Sequence, residues 1–283
     1  MTECGAVSVP FCGIELARRI EHAEAALISA AVAAAMRRGT GGFAIPVAGG
    51  VAAYGEPDAP FNKVAGLGFA GVPTGAELGA VEQANSERGA PTVVELSNLA
   101  DPEILALLAG RGYRVLAFED VLGRALDGVA QAIPDEMEIR PARSEEIDAW
   151  VDVMAEGFAH PDGAGVPSPE EFGRDVIERA HRDFTTAGVT AYVAMRDGRV
   201  VGGGSLRLTS GVAQLTGAAT APAYRRRGIQ TALLAVRLRD AATAGADIAV
   251  VTTSPGSTSQ QNVQRSGFHL LYTRAVLVRA PDQ

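Results

Sequence analysis

The sequence predicts an α/β (α+β) chain of two similar domains, each a twisted, mixed, mostly antiparallel sheet flanked by helices. Three observations carry this. The chain has 283 residues, long for one compact domain and comfortable for two. Hydrophobic residues make up 47% of it and aromatics only 5%, so each half can bury an aliphatic core. A stretch near the end of each half recurs at a fixed offset: GYRVLAFEDVLGRA at 112–125 resembles GFHLLYTRAVLVRA at 267–280, and 267 − 112 = 155.

The repeat extends back without a gap. Aligning 75–125 with 230–280 gives 9 identities, 6 of them in the last 14 positions. In each copy an amphipathic helix (75–89; 230–244) leads to a short apolar strand (92–96; 248–252), a second helix ending in Gly-aromatic, and a long terminal strand. Upstream, the first half shows an alanine-rich helix within 15–38 and strands near 43–47, 51–54 and 63–69. The segment 126–141 mixes Gly, Pro and acidic residues without periodicity and reads as a linker running into a strand at 137–140. Ser144 is placed to N-cap a helix holding Ile147, Trp150, Val151 and Met154 on one face. The proline-rich stretch 160–172 reads as a loop, either bordering a substrate cleft or a plain connector. Strands follow at 190–195, 200–208 and 212–219, the first two joined through Asp197-Gly198 as a hairpin turn. The run Gly202-Gly203-Gly204 reads as a bulge inside a strand rather than a phosphate site.

Charge and composition exclude several classes. A formal net charge of −8 argues against blanket attraction to nucleic acid or an anionic membrane. Two cysteines, Cys4 and Cys12, without clustered histidines make neither a disulfide framework nor a zinc site, so no metal is expected. The start lacks a basic segment followed by an apolar one, and the longest uncharged apolar run, 25–36, is too short to span a bilayer. The expectation is a cytoplasmic protein.

The segment with chemistry is TAPAYRRRGIQTALLAVRL, 220–238, between a strand and a helix. Ile229, Leu233 and Val236 are spaced for one buried helical face. Gly228 permits close backbone approach and unusual dihedrals. The first helical turn offers unpartnered N–H groups and the positive end of a dipole, a natural diphosphate cradle, and Arg225, Arg226 and Arg227 add positive charge there. No dinucleotide fingerprint is present, because its three spaced glycines are missing.

YRRRGIQTALL resembles the pyrophosphate-binding segment of the GNAT superfamily of acetyltransferases. That family's pattern, Arg or Gln, two residues, Gly, one residue, then Gly or Ala, falls on Arg225, Gly228 and Gln230, with Gln230 departing from the small residue. The preceding strand end and the terminal SGFHLLYTRAVLVRA are similar too, so the resemblance covers about 137–280. It implies two GNAT-like domains: a degenerate copy at 1–130 and an acetyl-CoA-binding domain at 137–283. At the 155-residue offset the first copy has Ala70-Gly71-Val72-Pro73, with no arginine and a proline that cannot donate.

The same resemblance implies N-acyl transfer from acetyl-CoA to a small-molecule or peptide amine. A direct attack on a thioester needs a neutral amine, a donor for the developing oxyanion and a proton for the leaving thiolate. The backbone N–H of Thr220 is expected to face the thioester oxygen, and Ala218, Ala219, Thr220, Arg225–Arg227, Gly228, Ile229, Gln230 and Asn262 to hold the cofactor. Many relatives place a tyrosine four residues before the glycine of the Gly-aromatic pair, where this chain has Val263; Tyr272 is the substitute acid, and Glu156 or His160 the base. Asn262, Ser257 and Ser259 either bond the pantetheine arm or serve as caps and turns. The alternative is a non-catalytic acetyl-CoA-binding or interaction protein.

Overall fold

A computed structural model describes residues 9–126, 137–160 and 172–281. Most of the linker 126–141 and of the loop 160–172 lies outside the described residues. The element order is α1 (Ile14–Arg37), β1 (Phe43–Val47), β2 (Gly50–Tyr54), β3 (Val64–Ala65), α2 (Gly75–Ser86), β4 (Thr92–Ser97), α3 (Glu103–Gly110), β5 (Arg114–Ala125), β6 (Glu138–Pro141), α4 (Ile147–Ala159), α5 (Arg174–Thr186), β7 (Thr190–Arg196), β8 (Arg199–Thr209), β9 (Val212–Gln214), β10 (Ala218–Thr220), α6 (Ile229–Thr243), β11 (Ile248–Thr253), α7 (Thr258–Arg265) and β12 (His269–Arg279). The repeat reappears in these bounds. Starts of α3 and α7 differ by 258 − 103 = 155, and those of β5 and β12 by 269 − 114 = 155.

The chain divides into two compact units. The N-terminal unit holds Cys12–Asp120, Arg182–Ala187 and Tyr272–Gln283; the C-terminal unit holds Met1–Phe11, Val121–His181 and Gly188–Leu271. In the first, β1 to β4 follow in order, and the end of β12 runs antiparallel to β4 with Arg274 opposite Ser97. Its core gathers Leu67, Leu78, Val94, Ile104, Leu108 and Leu277. In the second, the order is β11-β9-β8-β7-β6, with β10 on β8. One face of that sheet packs Ile229, Leu233 and Val236 of α6, as their spacing predicts; the other packs Trp150, Val151 and Met154 of α4.

The strand pairing is mixed in each unit: β3–β4 and β9–β11 are parallel among antiparallel pairs. The expectation of a separate sheet for each half is not met. The pairing order is single and twelve-stranded. Three local expectations also need correction. Residues 66–69 do not extend β3, since Gly66 and Gly68 take left-handed φ of 72° and 92°. Ser144 does not cap α4: a 3-10 turn at Ser144–Glu146 precedes the helix, and the Glu146 carboxylate accepts the Arg143 N–H and both arms of Arg140. The strand expected at 212–219 is two strands, β9 and β10, a break on which the site depends.

The triple glycine lies in β8, next to a register shift opposite Ala194/Met195. Its glycines are required by packing. A Cβ at Gly202 would come within 2.7 Å of Ile229, at Gly203 within 2.8 Å of Trp150, and at Gly204 within 2.9 Å of the Arg237 guanidinium. The hairpin turn at Asp197-Gly198 has both residues at positive φ, 49° and 72°, as a tight turn between twisted strands requires.

Candidate functional site

The site begins with one extra residue. β9 pairs β8 antiparallel, Gln214 opposite Arg207; β10 pairs the same strand, Ala218 opposite Gly204. Between these pairs β8 advances three positions (207 − 204) and its neighbour four (218 − 214), so residues 215–217 form a bulge. Gly217 takes φ 91° within it. On the far side, β11 pairs β9, ending at Val250 opposite Gln214, and the Leu215 N–H donates to the Val250 carbonyl at 2.9 Å. Beyond that point, among the described residues, β10 pairs only β8, and its other edge is open.

Strand parity then decides which groups face the opening. Ser205 N–H donates to Gly217 O, and Ala221 N–H to Val201 O, both at 3.1 Å. Residues 217, 219 and 221 therefore turn their backbone groups to β8, while Ala218 and Thr220 turn theirs to the open edge. Flanking hydroxyls are unsatisfied as well: Thr216 Oγ1 in the bulge and Thr253 Oγ1 at the end of β11 are buried without a partner. Orphaned buried polar atoms of this kind call for a ligand or solvent.

The next turn opens α6. After a 3-10 turn at Pro222–Tyr224, Arg226 and Gly228 both take left-handed φ, 59° and 77°. Gly228 is the N-cap and no side chain caps the helix, so the N–H groups of Ile229, Gln230 and Thr231 have no helical partner. A Cβ on Gly228 would project into open space. Arg226 and Arg227 are exposed there, and Arg227 lies 5.6 Å over the Tyr224 ring.

Two expected contact residues point into the protein. Arg225 donates to His160 O at 2.6 Å, to Thr220 O at 3.3 Å and to Gly157 O at 3.4 Å, bracing the C-terminus of α4 to the end of β10. Gln230 donates to Thr220 Oγ1 at 3.0 Å. Helix α4 itself crosses β10 closely, since a Cβ on Gly157 would sit 2.5 Å from Ala219 Cβ. Glu156 is exposed one position earlier, and His160 Nδ1 lies 3.0 Å from its backbone carbonyl.

Among the remaining candidates, Ser257 accepts the Gln260 N–H as the N-cap of α7, and the Asn262 carbonyl accepts Ser266 Oγ. Val263 is buried in the core. Tyr272 belongs to the N-terminal unit, where its hydroxyl donates to Glu21 Oε1 at 2.7 Å beside Arg274. Burial and the Glu21 charge hold its proton far more tightly than in a free tyrosine. Among the described residues no group of His, Cys, Asp or Glu is arranged to hold a metal, and no helix is long and apolar enough to cross a membrane.

Residues 138–262, which contain the bulge, the open edge and the uncapped helix, match the acetyltransferase (GNAT) domain family. The C-terminal half carries a GNAT acetyltransferase domain. Solved structures place the fold of more of the chain. A GCN5-related N-acetyltransferase from Kribbella flavida aligns over 92% of this chain and 96% of its own, with TM-score 0.64 and 18% identity. A tandem GNAT protein from the clavulanic acid biosynthesis pathway aligns over 74% and 70%, with TM-score 0.56 and 12% identity. A GCN5-related N-acetyltransferase from Sphaerobacter thermophilus aligns over 74% and 68%, with TM-score 0.54 and 17% identity. At these identities the likeness is one of fold. No curated protein matches the sequence. Within the GNAT domain, sequence reasoning missed the bulge and the brace made by Arg225. Gly217 in an apparent strand is the one signal that pointed to the bulge.

Proposed function

We propose that the chain transfers an acetyl group from acetyl-CoA to an amine, using one acyl-donor site, in the 137–283 half. The observation that carries this reading is the open edge of β10 beside the uncapped start of α6. An extended, amide-bearing chain fits such an edge, because the Ala218 backbone and the Thr220 N–H are turned towards it, away from β8. A diphosphate fits the helix start, where N–H groups converge and no side chain competes. Thr216 and Thr253 hydroxyls, buried and unpartnered, supply further hydrogen bonds at the gap.

The donor supplies an activated thioester. The chain's own residues do the rest. Thr220 N–H polarises the acyl oxygen from the open edge. Its side chain is fixed by Gln230, and its carbonyl by Arg225, so the donor is oriented in advance. Arg226 and Arg227 pair with phosphate oxygens, as does the backbone of Gly228, Ile229 and Gln230. Asn262, half-buried on α7, borders the arm. Glu156, exposed where α4 meets Ala219, accepts the acceptor's proton through water. Tyr272 has no part in this scheme, because its hydroxyl is committed to Glu21; the C–S bond of the thioester breaks as the amide forms, and coenzyme A leaves as the thiolate and takes its proton from water. Residues 1–130 carry no second donor site.

Calorimetric titration with acetyl-CoA tests the first half of the reading; one site per chain is expected, and two equivalent sites would refute it. Thiol release with an amine panel, products identified by mass spectrometry, tests the second. Binding without release for any amine would favour a module that only holds acetyl-CoA.

A further inference from the structure

The bulge that opens the strand edge is held by a cation buried in the core. Arg237 is 3% exposed on α6. Its Nη1 donates to Ser205 O at 3.0 Å and to Gly217 O at 3.4 Å, and its Nε donates to Leu233 O at 3.1 Å. These targets are all backbone carbonyls. Ser205 and Gly217 face each other across the bulge, and the Gly217 carbonyl already accepts the Ser205 N–H. Gly204 lies directly beneath, where any Cβ would stand 2.9 Å from the guanidinium carbon and displace it.

Burying a cation without a carboxylate is costly. Burial alone pushes this guanidinium down to about 10. A leucine at 237 would satisfy packing without that cost, but it would take the donor from the Ser205 carbonyl and the second donor from Gly217 O. One nitrogen, Nη1, donates to carbonyls of two strands while Nε ties the guanidinium to Leu233 O of its own helix, which no aliphatic side chain can do.

We infer that Arg237 is a positioning residue for acyl-donor binding: by clamping the Ser205 and Gly217 carbonyls it fixes the 215–217 bulge, and so keeps the Ala218 and Thr220 backbone groups turned to the open edge. This rests on the acetyl-CoA reading above. Arg237 touches no part of the donor; it acts through the strand.

The test uses the full chain with Arg237→Met and Arg237→Lys, scored by acetyl-CoA calorimetry and by amide hydrogen exchange. Both variants are expected to bind acetyl-CoA about tenfold or more weakly, Met worse than Lys. Exchange should rise in residues 215–220 and not in β11. A merely structural arginine would lower the melting temperature and leave the affinity of the folded protein unchanged, and that result overturns the inference. Wild-type exchange serves if the variants do not fold: the Ser205 amide must then be as protected as its β8 neighbours, and fast exchange there overturns the inference as well. Wild type that takes no acetyl-CoA at all is a different failure, of the donor reading itself.

Discussion

Helices α2 and α6 open at matching places in the repeat and finish their first turns in opposite ways. At α2, Thr74 Oγ1 accepts the Glu77 N–H at 3.2 Å, and the Glu77 carboxylate accepts the Thr74 N–H at 2.7 Å. The helix start is closed by its own side chains, with a carboxylate already where an anion would sit. At α6, Gly228 contributes no side chain, and two arginines stand exposed beside free amides. The same architectural position is thus self-satisfied in one unit and left open in the other. What separates a stable helix start from an anion site is whether the orphan donors are spent locally.

The strongest way to break this comparison is to fill the open start. Gly228→Val should weaken acetyl-CoA binding by about a hundredfold or more while the chain still folds, since a branched Cβ enters the space proposed for phosphate. The fold should survive because that Cβ meets nothing in the protein, and the left-handed φ costs only about 1–2 kcal/mol. Unchanged affinity by calorimetry would sink the assignment. Next in size are the exposed cations. Arg226→Ala with Arg227→Ala should cost about tenfold or more in affinity, with a loss that shrinks as salt is raised. Arg225→Ala should behave differently: because Arg225 braces α4 to β10, its removal should lower stability as well, and its affinity loss should be insensitive to salt.

The N-terminal unit spends charge on its interior instead. Arg274 Nε is 2.7 Å from Glu21 and its Nη1 3.4 Å from Glu95; Lys63 Nζ is 2.6 Å from Glu95. Glu119 lies at the margin of this cluster, its buried Oε2 3.7 Å from Arg274 and without a hydrogen bond. Burial first, then the Glu95 charge, push its carboxyl up to about 7. The folded state therefore binds a proton there that the unfolded chain has already released. The stability this group contributes is greatest below the unfolded carboxyl value and is lost as pH rises through about 7. Glu119→Gln should flatten that fall without touching acetyl-CoA affinity, read by denaturant titration at pH 5 and pH 8. An unchanged slope would mean that Glu119 is ionised throughout.

Much of this was legible in the sequence. The 155-residue offset matched the starts of α3 with α7 and of β5 with β12, and the pattern of Ile229, Leu233 and Val236 put α6 on the sheet. The strand–glycine–helix order located the open helix start. Other parts depend on contacts that no local pattern encodes. The bulge reflects one residue of mismatch between strands, invisible in a run that alternates well enough to read as one strand. Arg225 turned away from the expected anion because α4, more than 60 residues earlier, offers it bare carbonyls at Gly157 and His160. Tyr272 found Glu21 across 251 residues of chain. Arg237 was half-visible: it follows Leu233 by one helical turn and so falls on the buried face, yet a charge there reads as a surface residue.

The smallest effect sharpens the comparison most cleanly, because it separates stability from binding within one helix start. Thr74→Ala removes the side chain that caps α2 and strands the Glu77 N–H. Loss of such a cap costs about 1 kcal/mol, so the denaturation midpoint should drop measurably. If orphan donors alone made an anion site, uncapping α2 would create one. It should not: Val72 and Pro73 precede this helix where arginines precede α6, Pro73 has no N–H to offer, and Glu77 remains to repel phosphate. Titration of Thr74→Ala with acetyl-CoA should thus give the wild-type affinity and still one site per chain. A second site appearing in this variant would show that the capping box by itself kept the N-terminal unit empty, and that the missing cations matter less than argued.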